Sequence, residues 1–213
     1  MKIVIQELKW EVRKMAKLYF RYGAMNCGKT TLLLQVAHNY EERDMKVLIL
    51  KPSIDTKGGE NIITRVGDKR KVDHLINKDE NLSEYLNKVK KDIVCLLIDE
   101  AQFLTKDQVD ELFMFSKQKD TPVICYGLRS DFKTIAFPGS LRLFELCDEM
   151  DELYTICRCG KKAKFNGRKI NGKFTIEGSQ VAIDGKDNIE YESLCGKCYI
   201  EKVLGMNEDK VAE

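Results

Sequence analysis

The stretch GAMNCGKTT, residues 23–31, decides the fold because it fits the phosphate-loop pattern G-x-x-x-x-G-K-[ST]. The run KLYFRY (17–22) before it is typical of a buried strand, and residues 30–43 after it are helix-like. The loop N–H groups and the helix N-terminus would attract a phosphate, which the glycines allow to approach closely. Lys29 is predicted to hold the β- and γ-phosphates of a nucleotide, and Thr30 to ligate Mg²⁺. The alternative is a plain glycine-containing turn before a helix.

Three further apolar runs predict buried strands, at residues 46–50, 92–99 and 121–128. Helix-like stretches lie between them, at Leu82–Lys91 and Lys106–Lys117. Strands that alternate with helices indicate an α/β fold, in which helices cover both faces of a parallel sheet.

A pair of acidic residues, Asp99 and Glu100, follows the second of these runs. The tip of a parallel strand would place Asp99 beside Mg²⁺, although a helix cap or a solvated strand end is an equal alternative for this residue alone. Glu100 could orient a water for hydrolysis, or it could accept the proton of a substrate hydroxyl that attacks the γ-phosphate. The motif therefore indicates phosphoryl transfer and leaves the acceptor open.

Two close pairs of cysteines stand near the C-terminus, Cys157 with Cys159 and Cys195 with Cys198. Such spacing predicts a Cys₄ structural zinc site. The segment around them is small, rich in turns and poor in apolar residues, so it needs a staple to hold a fold. The alternatives are four reduced surface thiols, or a redox pair at C-x-x-C.

Composition and charge narrow the class of partner. The 213 residues include 36 basic and 34 acidic side chains, and the formal charge of +2 supplies no strong field for nucleic acid or an anionic membrane. We found no signal-peptide core and no membrane-spanning run, so we expect a cytoplasmic protein with small-molecule partners. We expect an extension at 1–14, a nucleotide-binding domain at 15–151, a zinc domain at 152–203 and a disordered tail at 204–213.

In combination, the motifs resemble those of the cytosolic type II thymidine kinases. YGAMNCGKTTLL, IDEAQFL, CYGLRSDF, ICRCGKKA and YESLCGKC occur in the order of that family, from Met15 to about Tyr199. The resemblance implies a RecA-like P-loop domain and a zinc-stapled domain whose lasso loop closes over the nucleoside. It also implies transfer of the γ-phosphate of Mg-ATP to the 5′-hydroxyl of thymidine or deoxyuridine, a homotetramer, and inhibition by dTTP.

The resemblance assigns roles to individual residues. Glu100 would be the base that activates the 5′-hydroxyl, and Phe103 and Phe132 would flank the pyrimidine. The implied ATP and Mg²⁺ site consists of Gly23, Ala24, Met25, Asn26, Cys27, Gly28, Lys29, Thr30, Thr31, Asp55, Lys57 and Asp99. The implied nucleoside site consists of Phe103, Arg129, Phe132, Val181, Ala182, Ile183, Asp184 and Tyr191.

The chain departs from the family pattern mainly in the lasso, roughly Phe165–Tyr191. Lys57 stands where the family has arginine, and lysine lacks the bidentate phosphate contact of a guanidinium group. Asp184 replaces a glycine, about two extra residues precede Tyr191, and the first half of the lasso lacks the Thr-x-Arg sequence of many members. We expect Asp184 to point into solvent at a turn. An acidic side chain near the base, or a shifted main-chain contact, would instead weaken thymidine binding or alter base preference, because an unmatched buried polar group costs about 1–3 kcal/mol.

Two rival functions remain open from the sequence. The first is a P-loop ATPase whose zinc knuckle binds nucleic acid or protein, which the near-neutral charge and the short chain disfavour. The second is a nucleotide-binding regulator without turnover, which the combination of Lys29, Asp99 and Glu100 disfavours.

Overall fold

The computed structural model describes residues 15–56, 58–65, 67–88, 92–180 and 188–206. In chain order its strands are β1 (Leu18–Gly23), β2 (Lys46–Pro52), β3 (Asn61–Ile63), β4 (Lys69–Lys71), β5 (His74–Ile76), β6 (Ile93–Ile98), β7 (Val123–Leu128), β8 (Glu149–Leu153), β9 (Thr155–Ile156), β10 (Lys162–Ala163), β11 (Phe165–Ile170), β12 (Lys173–Thr175) and β13 (Ile189–Leu194). The helices are α1 (Lys29–Glu41), α2 (Leu82–Lys88), α3 (Lys106–Gln118), α4 (Pro138–Leu146) and α5 (Gly196–Lys202).

The centre of the protein is a six-stranded sheet in the order β5-β2-β6-β7-β1-β8, and every neighbouring pair is parallel. Successive side chains on a strand point to opposite faces, so the apolar runs supply two cores at once. Leu48 and Leu50 pack on one face with residues of α2, α3 and α4. Val47 and Ile49 pack on the other face with α1. The predicted α/β fold with a helix-covered parallel sheet is confirmed.

Several short strands were not predicted, and the end of one predicted helix lies outside the described residues. β8 has the sequence EMDEL and is largely exposed at the sheet edge, so it carries no apolar run that would reveal a strand. β5 has only three residues, and β3 pairs with β4 in a short hairpin outside the main sheet. α2 ends at Lys88, and residues 89–91 of the predicted helix lie outside the described part of the chain.

A small C-terminal module, residues 155–202, follows the main sheet. It contains the sheet β12-β11-β13, the pair β9-β10 and the short helix α5. Its own apolar cluster includes three of the four predicted zinc ligands, Cys157, Cys195 and Cys198, together with Leu194 and Tyr199. The predicted division between residues 151 and 152 stays a prediction, and the last strand of the main sheet runs to Leu153. Within the described ranges, no helix is both long and apolar enough to cross a membrane.

Candidate active site

The phosphate loop joins the carboxyl end of β1 to the start of α1. Gly28 is the N-cap of α1 and has a φ of 79°, a left-handed conformation that favours glycine. Lys29 is the first residue of the helix and is buried, with its Nζ 3.0 Å from the carbonyl oxygen of Ala24. The lysine therefore curls back over the loop, where a bound phosphate would meet its ammonium group.

Gly23 lies so close to its neighbours that any side chain would disturb the loop. A Cβ atom added there would stand 2.5 Å from Cys27 Sγ and 2.7 Å from the carbonyl oxygen of Leu153. We expect Gly23→Ala to lower the free energy of unfolding by about 1–3 kcal/mol, because the backbone must shift, and to weaken ATP binding. Denaturant unfolding and nucleotide titration test this. Gly196→Ala, whose added Cβ would lie 3.5 Å from Phe165, is the matched control; equal losses in both variants would contradict the prediction.

Asp99 follows β6 and lies beside the phosphate loop, although β7 separates β6 from β1 in the sheet. Its Oδ2 is 3.5 Å from the Thr30 hydroxyl. Its Oδ1 is buried without a hydrogen-bond partner among the described residues. Burial and the neighbouring Glu100 carboxylate raise the pKa of Asp99 to about 7. A buried carboxylate oxygen that lacks a partner, next to a hydroxyl, is a set of donors that fits Mg²⁺.

Glu100 has a left-handed backbone, with φ 48° and ψ 38°, and begins the short 3₁₀ turn Ala101–Phe103. A left-handed conformation is uncommon for a residue other than glycine and is often found at functional sites. The side chain faces a cavity of about 220 Å³ beside the phosphate loop. The residues that line this cavity are Met25, Asn26, Gly28, Lys29, Thr30, Thr31, Ile63, Thr64, Arg65, Glu100 and Leu128. The structure thus brings Glu100 together with six of the twelve predicted ATP-site residues.

Asp55, another predicted ATP-site residue, forms an ion pair with a lysine from β2. Asp55 Oδ2 is 2.8 Å from the Nζ of Lys51, a side chain that is almost fully buried. The charge of Asp55 also contributes to the raised pKa of Asp99, so the two carboxylates are near each other. Lys57 lies outside the described residues.

The predicted nucleoside residues are spread over separate places. Phe103 lines a second, largely apolar cavity of about 420 Å³ together with Phe137. Tyr191 lines a third cavity of about 270 Å³ on the side of the C-terminal module. The guanidinium of Arg129 lies over the ring of Phe165, 5.4 Å from its centroid. The structure does not gather these side chains around one cavity, and residues 181–184 of the prediction lie outside its described part.

Phe132 is buried, with 1% of its surface exposed, beneath the guanidinium of Arg168 at 3.7 Å from the ring centroid. Arg168 also donates hydrogen bonds to the carbonyl oxygens of Glu177 and Ser179, which ties residues 177–179 to β11. The hydroxyl of Tyr199 donates to the carbonyl oxygen of Phe132. For Phe132 to flank a pyrimidine, the Arg168 guanidinium must therefore move off the ring face that it covers.

The four cysteines of the C-terminal module converge as the spacing predicted. The Sγ atoms of Cys157, Cys159, Cys195 and Cys198 all lie within 4.8 Å of one another. A tetrahedral zinc with bonds of about 2.3 Å sets its sulfurs about 3.8 Å apart, so the cluster fits the ion. Burial opposes ionisation of Cys157, but hydrogen bonds from the main chain of Cys159 and Cys195 lower its pKa to about 7. Thiolates are the form that binds zinc.

The matches with known proteins agree with this arrangement. The family model described as thymidine kinase matches residues 16–199. The chain belongs to the thymidine kinase family. It is 41% identical to a thymidine kinase of Chromobacterium violaceum over 87% of this chain and 98% of that protein. The thymidine kinases of Legionella pneumophila strain Paris (46% identity, 85% and 88% coverage) and Haemophilus influenzae (44%, 88% and 98%) are similar to it too.

Among solved structures, a DNA replication initiation factor resembles the chain with a TM-score of 0.38 and 18% identity, over 66% of this chain and 40% of that one. This likeness is too limited to indicate a common fold or function.

This member of the thymidine kinase family has a direct connection between its C-terminal module and its phosphate loop, which sequence reasoning missed. The Met25 N–H donates to Asn166 Oδ1 at 2.8 Å, and the Ser193 hydroxyl donates to the Met25 carbonyl oxygen. The Asn166 amide also donates to the carbonyl oxygen of Ser130, in the loop after β7. Asn166 stands in none of the motifs quoted above, and Ser193 lies inside YESLCGKC without an assigned role, so only the folded chain reveals the contact.

Proposed function

We propose that this protein is an ATP-dependent kinase that transfers the γ-phosphate to the 5′-hydroxyl of thymidine and so forms dTMP. One observation carries the proposal: Lys29, Thr30 and Glu100 line a single cavity at the phosphate loop, in a chain of the thymidine kinase family. The cavity offers a phosphate-binding end and a carboxylate within one space. The cavity therefore has groups that bind the phosphates of ATP, the phosphate donor, and a carboxylate that accepts the proton of the substrate hydroxyl.

The residues take separate parts in the transfer. The loop N–H groups and Lys29 bind the ATP phosphates and hold the γ-phosphate in line. Thr30 and Asp99 are the residues that would hold Mg²⁺, which neutralises negative charge on the phosphates when it is bound. Glu100 accepts the proton of the 5′-hydroxyl as the oxygen attacks. Exclusion of water by the lasso favours transfer to the sugar over hydrolysis.

The acceptor range extends to deoxyuridine, which differs from thymidine by one methyl group. A single methyl group in an apolar pocket is worth only about 1–3 kcal/mol of discrimination. The proposed nucleoside contacts, which follow from the family resemblance, are Phe103, Arg129, Phe132, Tyr191 and the lasso residues 181–184. Inhibition by dTTP, a homotetramer and a cytoplasmic location are proposed from the family resemblance.

The test incubates purified protein with Mg-ATP, with and without thymidine, deoxyuridine, deoxycytidine or deoxyadenosine, and measures ADP and nucleoside monophosphate separately. We expect ADP to appear only with thymidine or deoxyuridine, in a 1:1 ratio with the monophosphate. ADP release that needs no nucleoside would instead mean that water is the acceptor. The protein would then be an ATPase and the proposal would be wrong.

A further inference from the structure

Gln102 lies directly behind Glu100 and contacts it through a hydrogen bond. Its amide nitrogen donates to Glu100 Oε2 at 2.5 Å, and its Oε1 accepts the main-chain N–H of Leu128 at 3.0 Å. The side chain is completely buried. At Gly127, an added Cβ would stand 3.0 Å from Gln102 Oε1, so the backbone of β7 packs closely against the amide. Gln102 thus links the Glu100 carboxylate to the end of β7.

The hydrogen bond from Gln102 restricts the conformation of the Glu100 side chain. This residue sits in a left-handed conformation at the mouth of the cavity, where its side chain would otherwise have several rotamers. A hydrogen bond to Oε2 fixes the plane of the carboxylate and leaves Oε1 as the oxygen without this donor. A catalytic group gains rate when buried neighbours hold its rotamer.

We propose that Gln102 is a positioning residue that orients the Glu100 carboxylate for proton transfer from the substrate hydroxyl. Gln102 also lines the cavity that contains Phe103, but the role proposed here needs no contact with a substrate and acts only through Glu100. The inference rests on the proposed function, because it needs Glu100 to be the base. Its particular claim is that the amide donor, rather than the packing of the side chain, supplies the effect.

The first test is Gln102→Glu, assayed at a pH at which the new carboxyl group is ionised; this change keeps the shape of the side chain and the acceptor for Leu128 but leaves no donor to Glu100. We expect kcat for thymidine phosphorylation to fall about 10- to 100-fold, because misplacement of a catalytic group by about 1 Å costs about 10²-fold. The KM values for ATP and thymidine should stay within about 3-fold, since no substrate contact is lost. Gln102→Met, which removes the polar atoms without adding charge, should lower kcat similarly.

The decisive measurement is a double-mutant cycle with Glu100→Gln. If Gln102 acts only through Glu100, Gln102→Met should cause no further loss of kcat in the Glu100→Gln background. A further loss as large as that seen with Glu100 intact would overturn the inference. So would an unchanged kcat in both single Gln102 variants.

Ser140→Ala is the matched control for damage to the strand end. The buried Ser140 hydroxyl donates to the carbonyl oxygen of Leu128. The N–H of the same Leu128 donates to Gln102 Oε1. This variant should lower the melting temperature as the Gln102 variants do, and leave kcat within about 2-fold of the wild type. A loss of kcat in Ser140→Ala as large as that in the Gln102 variants would show that Gln102 acts only through packing of the strand end, and would overturn the inference. If the wild type itself phosphorylates no nucleoside, the proposed function fails before the role of Gln102 is reached.

Discussion

Glu100→Gln should lower kcat for thymidine phosphorylation by about 10²- to 10⁴-fold, the range that general base catalysis contributes. The amide has nearly the same shape as the carboxylate but cannot accept the proton of the 5′-hydroxyl. The phosphate loop, Lys29 and Thr30 are unchanged, so the Kd for Mg-ATP should stay within about 3-fold. Steady-state kinetics at saturating substrates and a fluorescent-nucleotide titration measure the two quantities separately.

The control is Glu84→Gln, because Glu84 is exposed on α2 and lines none of the cavities described above. It should leave both kcat and the Kd unchanged. A Glu100→Gln enzyme with wild-type kcat would show that another group takes the proton. A large rise in the Kd for Mg-ATP would instead place Glu100 in nucleotide binding.

The parts of the fold that were predictable depend on local sequence. β1, β2, β6 and β7 are buried in the middle of the sheet, so their sequences are continuous apolar runs. The phosphate-loop pattern is equally local, because its glycines and its lysine serve one backbone turn and one ligand. The convergence of the four cysteines was predictable from spacing alone, since two close pairs of cysteines in a small module are typical of a metal site.

The parts that were not predictable depend on contacts between distant segments. β8 is an exposed, acidic edge strand, and nothing in EMDEL indicates that it pairs with β1. Arg65, which follows β3, lines the same cavity as the phosphate loop, although more than 30 residues separate the two in the sequence. Gln102 sits inside the quoted motif IDEAQFL, yet its use became visible only when β7 was placed beside it. Long-range contacts of this kind have no period and no spacing to detect.

The positions of the predicted nucleoside contacts were also not predictable from the sequence. The family resemblance groups Phe103, Phe132 and Tyr191 by function, whereas the structure holds them in different surroundings. Arg168 covers Phe132 and also holds the main chain at Ser179 through a hydrogen bond. If a nucleoside binds against the Phe132 ring face that Arg168 covers, as the resemblance implies, the Arg168 guanidinium has to leave that face.

Removal of zinc should abolish thymidine phosphorylation and lower the melting temperature by about 10 °C or more, since structural zinc contributes folding free energy directly. Three of the four cysteines belong to the apolar cluster of the C-terminal module, so the packing of this cluster depends on the metal that would bind them. Asn166 and Ser193 belong to the same module and hold both main-chain groups of Met25 in the phosphate loop. We therefore expect the affinity for Mg-ATP to fall as well, by less than that for thymidine.

Cys159→Ser and Cys147→Ser make a matched pair for this experiment, with metal content measured by mass spectrometry. Cys159 is the exposed member of the cluster, whereas Cys147 lies just beyond α4, is half-buried and lies outside the cluster. Only Cys159→Ser should lower zinc content, stability and activity together. Full activity and an unchanged melting temperature in verified metal-free protein would refute the zinc site. Weakened thymidine binding with unchanged ATP affinity would confine the effect of zinc to the lasso and would remove the phosphate-loop coupling.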